Sequence, residues 1–158
     1  MSEHAKLQEQ WTGKLKNRCA PSASRMNNLS AIHGNSKGTA TGLRNTGNTC
    51  YLNSVVQVIA NSSLLVKNLL KGETIVSPPR KLVDELRFLL LVLRSGKFKH
   101  VTPNDFKKKI DQSLPKFSGN NQHDAQEFLS DLLRVIETET VPDTPLDVLE
   151  GRFESKVT

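Results

Sequence analysis

The sequence predicts a mostly α-helical domain that follows a leader without regular structure. Apolar residues recur at helical spacing in four segments, and Pro or Gly stands near the ends of several of them. The first 40 residues show no such periodicity. With 158 residues, of which 36% are hydrophobic and 24% charged, the chain has the length and composition of one globular domain.

The leader, residues 1–40, is rich in Ser, Asn, Gly and Lys, and we expect it to be largely disordered. Residues 1–41 contain six Lys or Arg and two Glu, so they carry +4 of the net charge of +6. The leader is therefore either a solvated tail or a contact for an acidic partner, a membrane or nucleic acid. Because only 5% of the residues are aromatic, the chain has few side chains on which nucleic-acid bases could stack, and nucleic-acid binding is disfavoured.

Nothing in the sequence predicts membrane insertion or secretion. The longest nearly continuous apolar run, residues 88–93, is too short to span a bilayer, and the N-terminus has no apolar signal region. The two cysteines, Cys19 and Cys50, match no metal-ligand spacing, so we predict no metal and no cofactor. Reduced cysteines favour the cytosol or the nucleus.

The first two predicted helices run from about residue 50 to 60 and from near Pro79 to Gly96. Asn48 or Thr49 is expected to cap the first helix, and Pro79 suits the first turn of the second. The second helix is apolar on most faces, which predicts deep burial. The apolar face of the first helix consists of Leu52, Val55, Val56 and Ile59.

The third and fourth helices follow in the second half of the chain. Thr102 is expected to cap the third, with Pro103 at its first position and Phe106 and Ile110 packed inward. The fourth runs from about residue 124 to 139, and residues 148–158 alternate as the start of a strand. The inward face of the fourth helix comprises Ala125, Phe128, Leu129, Leu132, Val135 and Ile136.

Cys50 is the residue that points to chemistry. On a helical projection it shares one polar stripe with Asn53, Ser54 and Gln57, opposite the apolar face, so it is directed toward a cleft or solvent. A thiol in the first turn of a helix lies at the positive end of the helix dipole, where the thiolate nucleophile is stabilised. The alternative is that Cys50 is merely a small buried residue.

The Gly-rich segment before Cys50 is expected to form a tight loop with exposed backbone N–H groups. Asn45 lies five residues before Cys50, and its amide is a suitable donor for an oxyanion hole. Such a loop also suits phosphate, although the Lys-Ser/Thr ending of a P-loop is missing.

Two motifs resemble those of one enzyme family. The cysteine motif reads Gly42-Leu43-x-Asn45-x-Gly47-Asn48-Thr49-Cys50-Tyr51-x-Asn53-Ser54-x-x-Gln57, and the second motif reads Gln122-His-Asp-Ala-Gln-Glu-Phe-Leu129. In this order they are similar to the two N-terminal motifs of the ubiquitin-specific proteases, which are cysteine deubiquitinases. The resemblance covers residues 42–158 and leaves the leader outside.

The resemblance implies a papain-like, α+β cysteine peptidase fold with thumb, palm and fingers regions, of which this chain holds a thumb-like helical subdomain that ends at the start of the fingers. It implies that Cys50 attacks the isopeptide carbonyl at the C-terminus of ubiquitin and that Asn45 stabilises the oxyanion. The implied partners are ubiquitin and ubiquitinated proteins.

The second motif has two interpretations. Asp124 and Glu127 at a helix start are typical of caps, so the motif is mainly architectural. The alternative is that Gln122 or Asp124 lines the channel for the tail of ubiquitin. His123 is a further candidate, as the general base.

The chain departs from the family pattern in one respect that bears on activity. No Gly-His-x-x-Tyr-like motif is present, and the other histidines are His4 and His33 in the leader and His100, which follows a Lys-rich turn and is expected at the surface. We therefore expect the chain to be weakly active or inactive alone, with a partner supplying the palm and fingers half. The alternative is a ubiquitin- or protein-binding fragment without chemistry.

Overall fold

The structure is a computed structural model that describes residues 28–31, 40–71 and 81–140. In these ranges it is mostly helical, as predicted, with a small three-stranded sheet. The elements are β1 (Leu29–Ala31), β2 (Gly42–Leu43), α1 (Cys50–Asn61), α2 (Ser63–Lys71), α3 (Leu82–Ser95), β3 (Phe98–Val101), α4 (Asn104–Ser113), a 3₁₀ turn (Pro115–Phe117) and α5 (Ala125–Thr140).

Helix α3 is the centre of the core, and α1, α2, α4 and α5 all pack against it. Its second half is buried on every face, as its sequence predicts. The helix ends at Gly96, whose φ of 66° is the left-handed conformation that closes a helix without steric strain. The buried residues of its second half are Phe88, Leu89, Leu90, Leu91, Val92 and Leu93.

Polar side chains join α3 to the ends of neighbouring helices. Arg94 Nη1 donates to the carbonyl of Ala60 (2.6 Å), and Arg87 Nε donates to that of Leu69 (2.6 Å). These contacts place a cation at the negative ends of α1 and α2. At the N-terminus of α3, the Glu139 carboxylate of α5 accepts hydrogen bonds from the backbone N–H groups of Leu82 (3.3 Å) and Val83 (2.8 Å).

The sheet leads the chain into the cysteine motif. Its order is β1-β3-β2, with β1 antiparallel and β2 parallel to β3. Gly42 pairs with His100 and Leu43 with Val101, and the N–H of Arg44 then donates to the carbonyl of Val101 (2.9 Å). The start of the loop before Cys50 is thereby tied to a strand.

Several sequence predictions are corrected. Helix α2 was not predicted because its nine residues follow α1 after a single residue, Ser62, and only Val66 and Leu70 are buried. The leader, which the sequence predicts to be largely disordered, contributes strand β1. Three residues are too short to show strand periodicity, and β1 is formed by pairing with β3. His100, which the sequence places at the surface after a turn, lies in β3 and is half-buried.

The remaining helix predictions hold with small shifts. Helix α4 begins at Asn104, so Pro103 occupies the cap position that was predicted for Thr102. The predicted inward residues of α4 and α5 are buried or packed against the core. Pro79, the predicted strand at residues 148–158 and the rest of the leader lie outside the described residues.

We predict that Phe128→Ala, in the core between α1 and α5, lowers the free energy of unfolding by about 3–5 kcal/mol, because the ring is fully buried and the cavity cannot collapse completely. Leu133→Ala is the matched control, since Leu133 lies on the same helix with 38% of its surface exposed, and it should change stability by less than about 0.5 kcal/mol. Urea denaturation of the two variants measures both values. Equal losses would contradict this description of the core.

Candidate active site

The polar stripe of α1 holds the loop of residues 44–49 in place. Gln57 Nε2 donates to the carbonyl of Thr41 (3.1 Å), and Asn53 Nδ2 donates to that of Arg44 (3.4 Å). Together with the pairing of β2, these bonds fix the N-terminal side of the loop against the helix that follows it. Asn53 therefore binds the backbone of the loop itself, and Gln57 binds the backbone just before β2, the strand that leads into the loop.

Asn45 organises the inside of the loop through its side-chain oxygen. Asn45 Oδ1 accepts hydrogen bonds from the backbone N–H of Gly47 (3.1 Å), the backbone N–H of Thr49 (3.2 Å) and the hydroxyl of Thr49 (3.0 Å). Because backbone N–H groups only donate, the atom that faces them must be the amide oxygen. The Nδ2 group points the other way, and no acceptor among the described residues contacts it.

The tip of the loop turns through two left-handed residues. Gly47 has a φ of 106° and Asn48 a φ of 50°, a conformation that Asn tolerates better than most residues. Asn48 Nδ2 donates to the carbonyl of Asn120 (2.8 Å), and a side chain at position 47 would begin 3.7 Å from the Asn120 amide. The loop tip thus rests on the segment that leads into the second motif.

Cys50 is the first residue of α1 and is exposed, so the alternative of a buried structural cysteine is wrong. The Ser54 hydroxyl donates its hydrogen bond to the backbone carbonyl of Cys50 (2.8 Å) and not to the thiol. In the part of the chain that the structure describes, the thiol has no hydrogen-bond partner. An exposed thiol at a helix N-terminus has the access and the local dipole of a nucleophile.

The predicted caps of α1 are not observed. Thr49 occupies the cap position, but its hydroxyl forms no cap hydrogen bond with the helix. Instead, the hydroxyl accepts from the N–H of Thr46 (3.1 Å) and donates to Asn45. The side chain of Asn48 is directed to Asn120. Both side chains therefore serve the loop and not the helix.

An aromatic cluster of Tyr51, Phe117, His123 and Phe128 joins the cysteine motif to the second motif. The ring centroids of Tyr51 lie 5.1 Å from those of His123 and Phe128, in edge-to-face contact. Burial, reinforced by Asp111 and Cys50, raises the pKa of the Tyr51 phenol, which stays protonated and donates to the carbonyl of Phe117 (3.4 Å).

Neither histidine near the motifs contacts the thiol. His123 packs edge-on against Tyr51 and Phe117, and its Nε2 is buried without a hydrogen-bond partner among the described residues. His100 Nε2 lies 3.3 Å from Arg44 Nη2. His123 is therefore part of the packing between the motifs, and the structure gives neither residue the contact of a general base.

The other residues of the second motif that the sequence singles out have different surroundings. Asp124 Oδ1 accepts from the N–H of Glu127 (2.8 Å) and caps α5, which confirms the structural interpretation of this residue. Gln122 is exposed. Glu127 forms an ion pair with Lys116, and since both side chains are about half exposed the pair adds little stability.

The described residues contain no group of three or more His, Cys, Asp or Glu side chains placed to bind a metal ion. None of the described helices has the length and apolar character needed to cross a bilayer.

Comparison with known proteins agrees with the two motifs. The sequence model of the family described as ubiquitin carboxyl-terminal hydrolase matches residues 41–158. Among individual relatives, ubiquitin carboxyl-terminal hydrolase 43 of Homo sapiens is 38% identical over 95 residues, which cover 60% of this chain and 8% of that protein.

Two further relatives extend the match. Ubiquitin carboxyl-terminal hydrolase 9 of Arabidopsis thaliana is 38% identical over 114 residues, covering 68% of this chain and 12% of that protein. Ubiquitin carboxyl-terminal hydrolase 15 of Rattus norvegicus is 32% identical over 139 residues, covering 76% and 14%. The chain thus spans a small part of these relatives. Because the family match covers most of the chain, the identification made from the motifs is confirmed: this chain belongs to the ubiquitin carboxyl-terminal hydrolase family.

Proposed function

We propose that residues 42–158 form the nucleophile-bearing part of a cysteine deubiquitinase, with ubiquitin and ubiquitinated proteins as its partners. Two observations in the same segment support this most strongly: Cys50 is exposed at the start of α1, and Asn45, in the loop just before it, has its amide oxygen occupied while its Nδ2 has no acceptor among the described residues. A nucleophile at a helix N-terminus and an unused N–H donor in the loop that leads into it are the first two groups that acyl transfer needs.

The proposed reaction proceeds by attack of the Cys50 thiolate on the carbonyl carbon that joins the C-terminal glycine of ubiquitin to a lysine amine. The C–S bond forms while the carbonyl electron pair moves to oxygen, and Asn45 Nδ2 donates a hydrogen bond to that oxygen. The C–N bond then breaks, and the amine leaves with a proton. Water hydrolyses the thioester, which releases ubiquitin with a free carboxylate and restores the thiol.

A proton acceptor for the Cys50 thiol is also required. His100 and His123 make no contact with the thiol, so we propose that the base comes from outside the described residues, on a segment or partner that completes the palm and fingers. The chain covers only 8–14% of the relatives above, which supports the need for such a segment. Alone, the chain should bind and react with ubiquitin far more slowly than a complete enzyme.

A second candidate function is a ubiquitin-binding module without chemistry. The positions of His100 and His123 favour this second candidate, because neither contacts the Cys50 thiol as a base would. The two candidates differ in whether Cys50 forms a covalent bond with the end of ubiquitin. For either, the exposed reduced thiol is compatible with the cytosol or the nucleus, where we propose that the protein acts.

We predict that Cys50 forms a covalent adduct with ubiquitin that ends in a propargyl amide. The sulfur adds to the internal alkyne carbon and the thiol proton goes to the terminal carbon, so the mass increases by the whole probe. Intact-mass spectrometry should detect one adduct per chain, and Cys50→Ala should abolish it. Binding of unmodified ubiquitin without any adduct would support the non-catalytic candidate instead.

We predict different consequences for the two second-motif residues. Gln122→Ala should slow the alkyne reaction about two- to tenfold, the effect of one lost hydrogen bond to the ubiquitin tail, with stability unchanged. Asp124→Ala should lower the free energy of unfolding by about 1 kcal/mol because α5 loses its cap, whereas Asp124→Ser should keep the cap. An unchanged rate for Gln122→Ala would remove Gln122 from the tail channel.

A further inference from the structure

We propose that Thr49 is the positioning residue of the oxyanion donor: its hydroxyl fixes the amide of Asn45 so that Nδ2 is presented to the reacting carbonyl. The proposal rests on the function proposed above, because it assigns a second residue to the same step. Thr49 does not touch the substrate in this account, and it acts only through Asn45.

The direction of each hydrogen bond at the Thr49 hydroxyl follows from the donors around it. The backbone N of Thr46 lies 3.1 Å from Oγ1. A backbone N–H can only donate, so Oγ1 accepts this hydrogen bond. The single hydroxyl proton is then left for Asn45 Oδ1, at 3.0 Å. Thr49 is only 1% exposed, so its hydroxyl is shielded from solvent.

Thr49 stands at the N-cap position of α1, yet its hydroxyl bonds to the loop. A Thr immediately before the first turn of a helix normally caps that turn with its hydroxyl. Here the cap position is occupied but the cap bond is absent, and the φ and ψ of −90° and 16° lie outside the extended region of a typical cap. The hydroxyl is therefore used in the loop, at the expense of the stabilisation that a cap would give α1.

The consequence for Asn45 is a fixed amide plane. Two backbone N–H groups, at 3.1 and 3.2 Å, and one hydroxyl, at 3.0 Å, converge on the same oxygen. An amide oxygen held from three directions cannot rotate its NH₂ group away without breaking a bond. Because Asn45 is exposed, its side chain is not held by packing, and these hydrogen bonds fix its orientation.

The chain offers a matched pair of variants at this position. Thr49→Val keeps the buried, β-branched shape and removes only the hydroxyl, whereas Thr49→Ser keeps the hydroxyl and removes only the methyl group. If the hydroxyl positions Asn45, Ser should behave like the wild type and Val should not. If Thr49 is only a packing residue, the order should be reversed.

The direct test is the mobility of the Asn45 side-chain amide, measured by its ¹H–¹⁵N nuclear Overhauser effect in the full chain. Asn45→Ala assigns the resonance, and the exposed Asn121 provides a mobile reference. We expect a rigid amide in the wild type and Thr49→Ser, and a mobile one in Thr49→Val. An Asn45 amide that stays rigid in a folded Thr49→Val variant would overturn the proposal, whatever the protein does with ubiquitin.

The functional test compares two ubiquitin probes. With a C-terminal aldehyde, the Cys50 sulfur adds to the carbonyl carbon and the oxygen takes up the proton, so a hydroxyl forms where the oxyanion would be. With the propargyl amide, no oxygen develops charge. Thr49→Val should therefore weaken the aldehyde adduct about three- to tenfold and leave the alkyne rate unchanged, while Thr49→Ser changes neither.

The two tests separate the two claims. If the wild type reacts with neither probe, the proposed function fails and the amide mobility still decides the role of Thr49. An equal loss with both probes in Thr49→Val would assign Thr49 to the general integrity of the loop and overturn its positioning role. Asn45→Ala should show the same selectivity for the aldehyde as Thr49→Val, with a larger loss.

Discussion

The hydrogen bonds to the side-chain oxygen of Asn45 are the interaction on which the candidate site depends. The loop before Cys50 is short, exposed and rich in residues with permissive backbones, so it has no apolar core of its own. Asn45 Oδ1 gathers two backbone N–H groups and one hydroxyl of this loop around a single atom. The geometry of the loop and the orientation of the amide NH₂ are thus set by the same contacts, and a change in one must change the other.

Around this centre the protein holds the loop from three sides. Strand pairing, supported by the bond from Gln57 to Thr41, fixes the segment before the loop. Asn53 of α1 binds the loop backbone at Arg44, and Asn120 supports the loop tip. The aromatic cluster then joins α1 to the second motif, which lies about 70 residues further along the chain. Within the second motif, His123 lies in the cluster and Asp124 caps α5.

Much of the helical scaffold could be predicted from the sequence because its signals are local. The apolar face of α1 and the exposure of Cys50 follow from helical spacing, and so does the inward face of α5. Contacts between distant residues could not be predicted, as shown by Glu139, which caps α3 from 56 residues away. Thr49 was correctly placed at the start of α1 but given the wrong role, because the sequence does not reveal that Asn45 competes for its hydroxyl.

The central claim is that Asn45 presents its amide to an oxygen on the carbon attacked by Cys50. A crystal structure of the covalent adduct with ubiquitin aldehyde tests it most directly. The account predicts that the oxygen of the adduct lies roughly 2.7–3.1 Å from Asn45 Nδ2, while Oδ1 keeps its bonds to Gly47 and Thr49. An adduct whose oxygen faces away from Asn45, or an amide turned so that Nδ2 faces the loop, would contradict it.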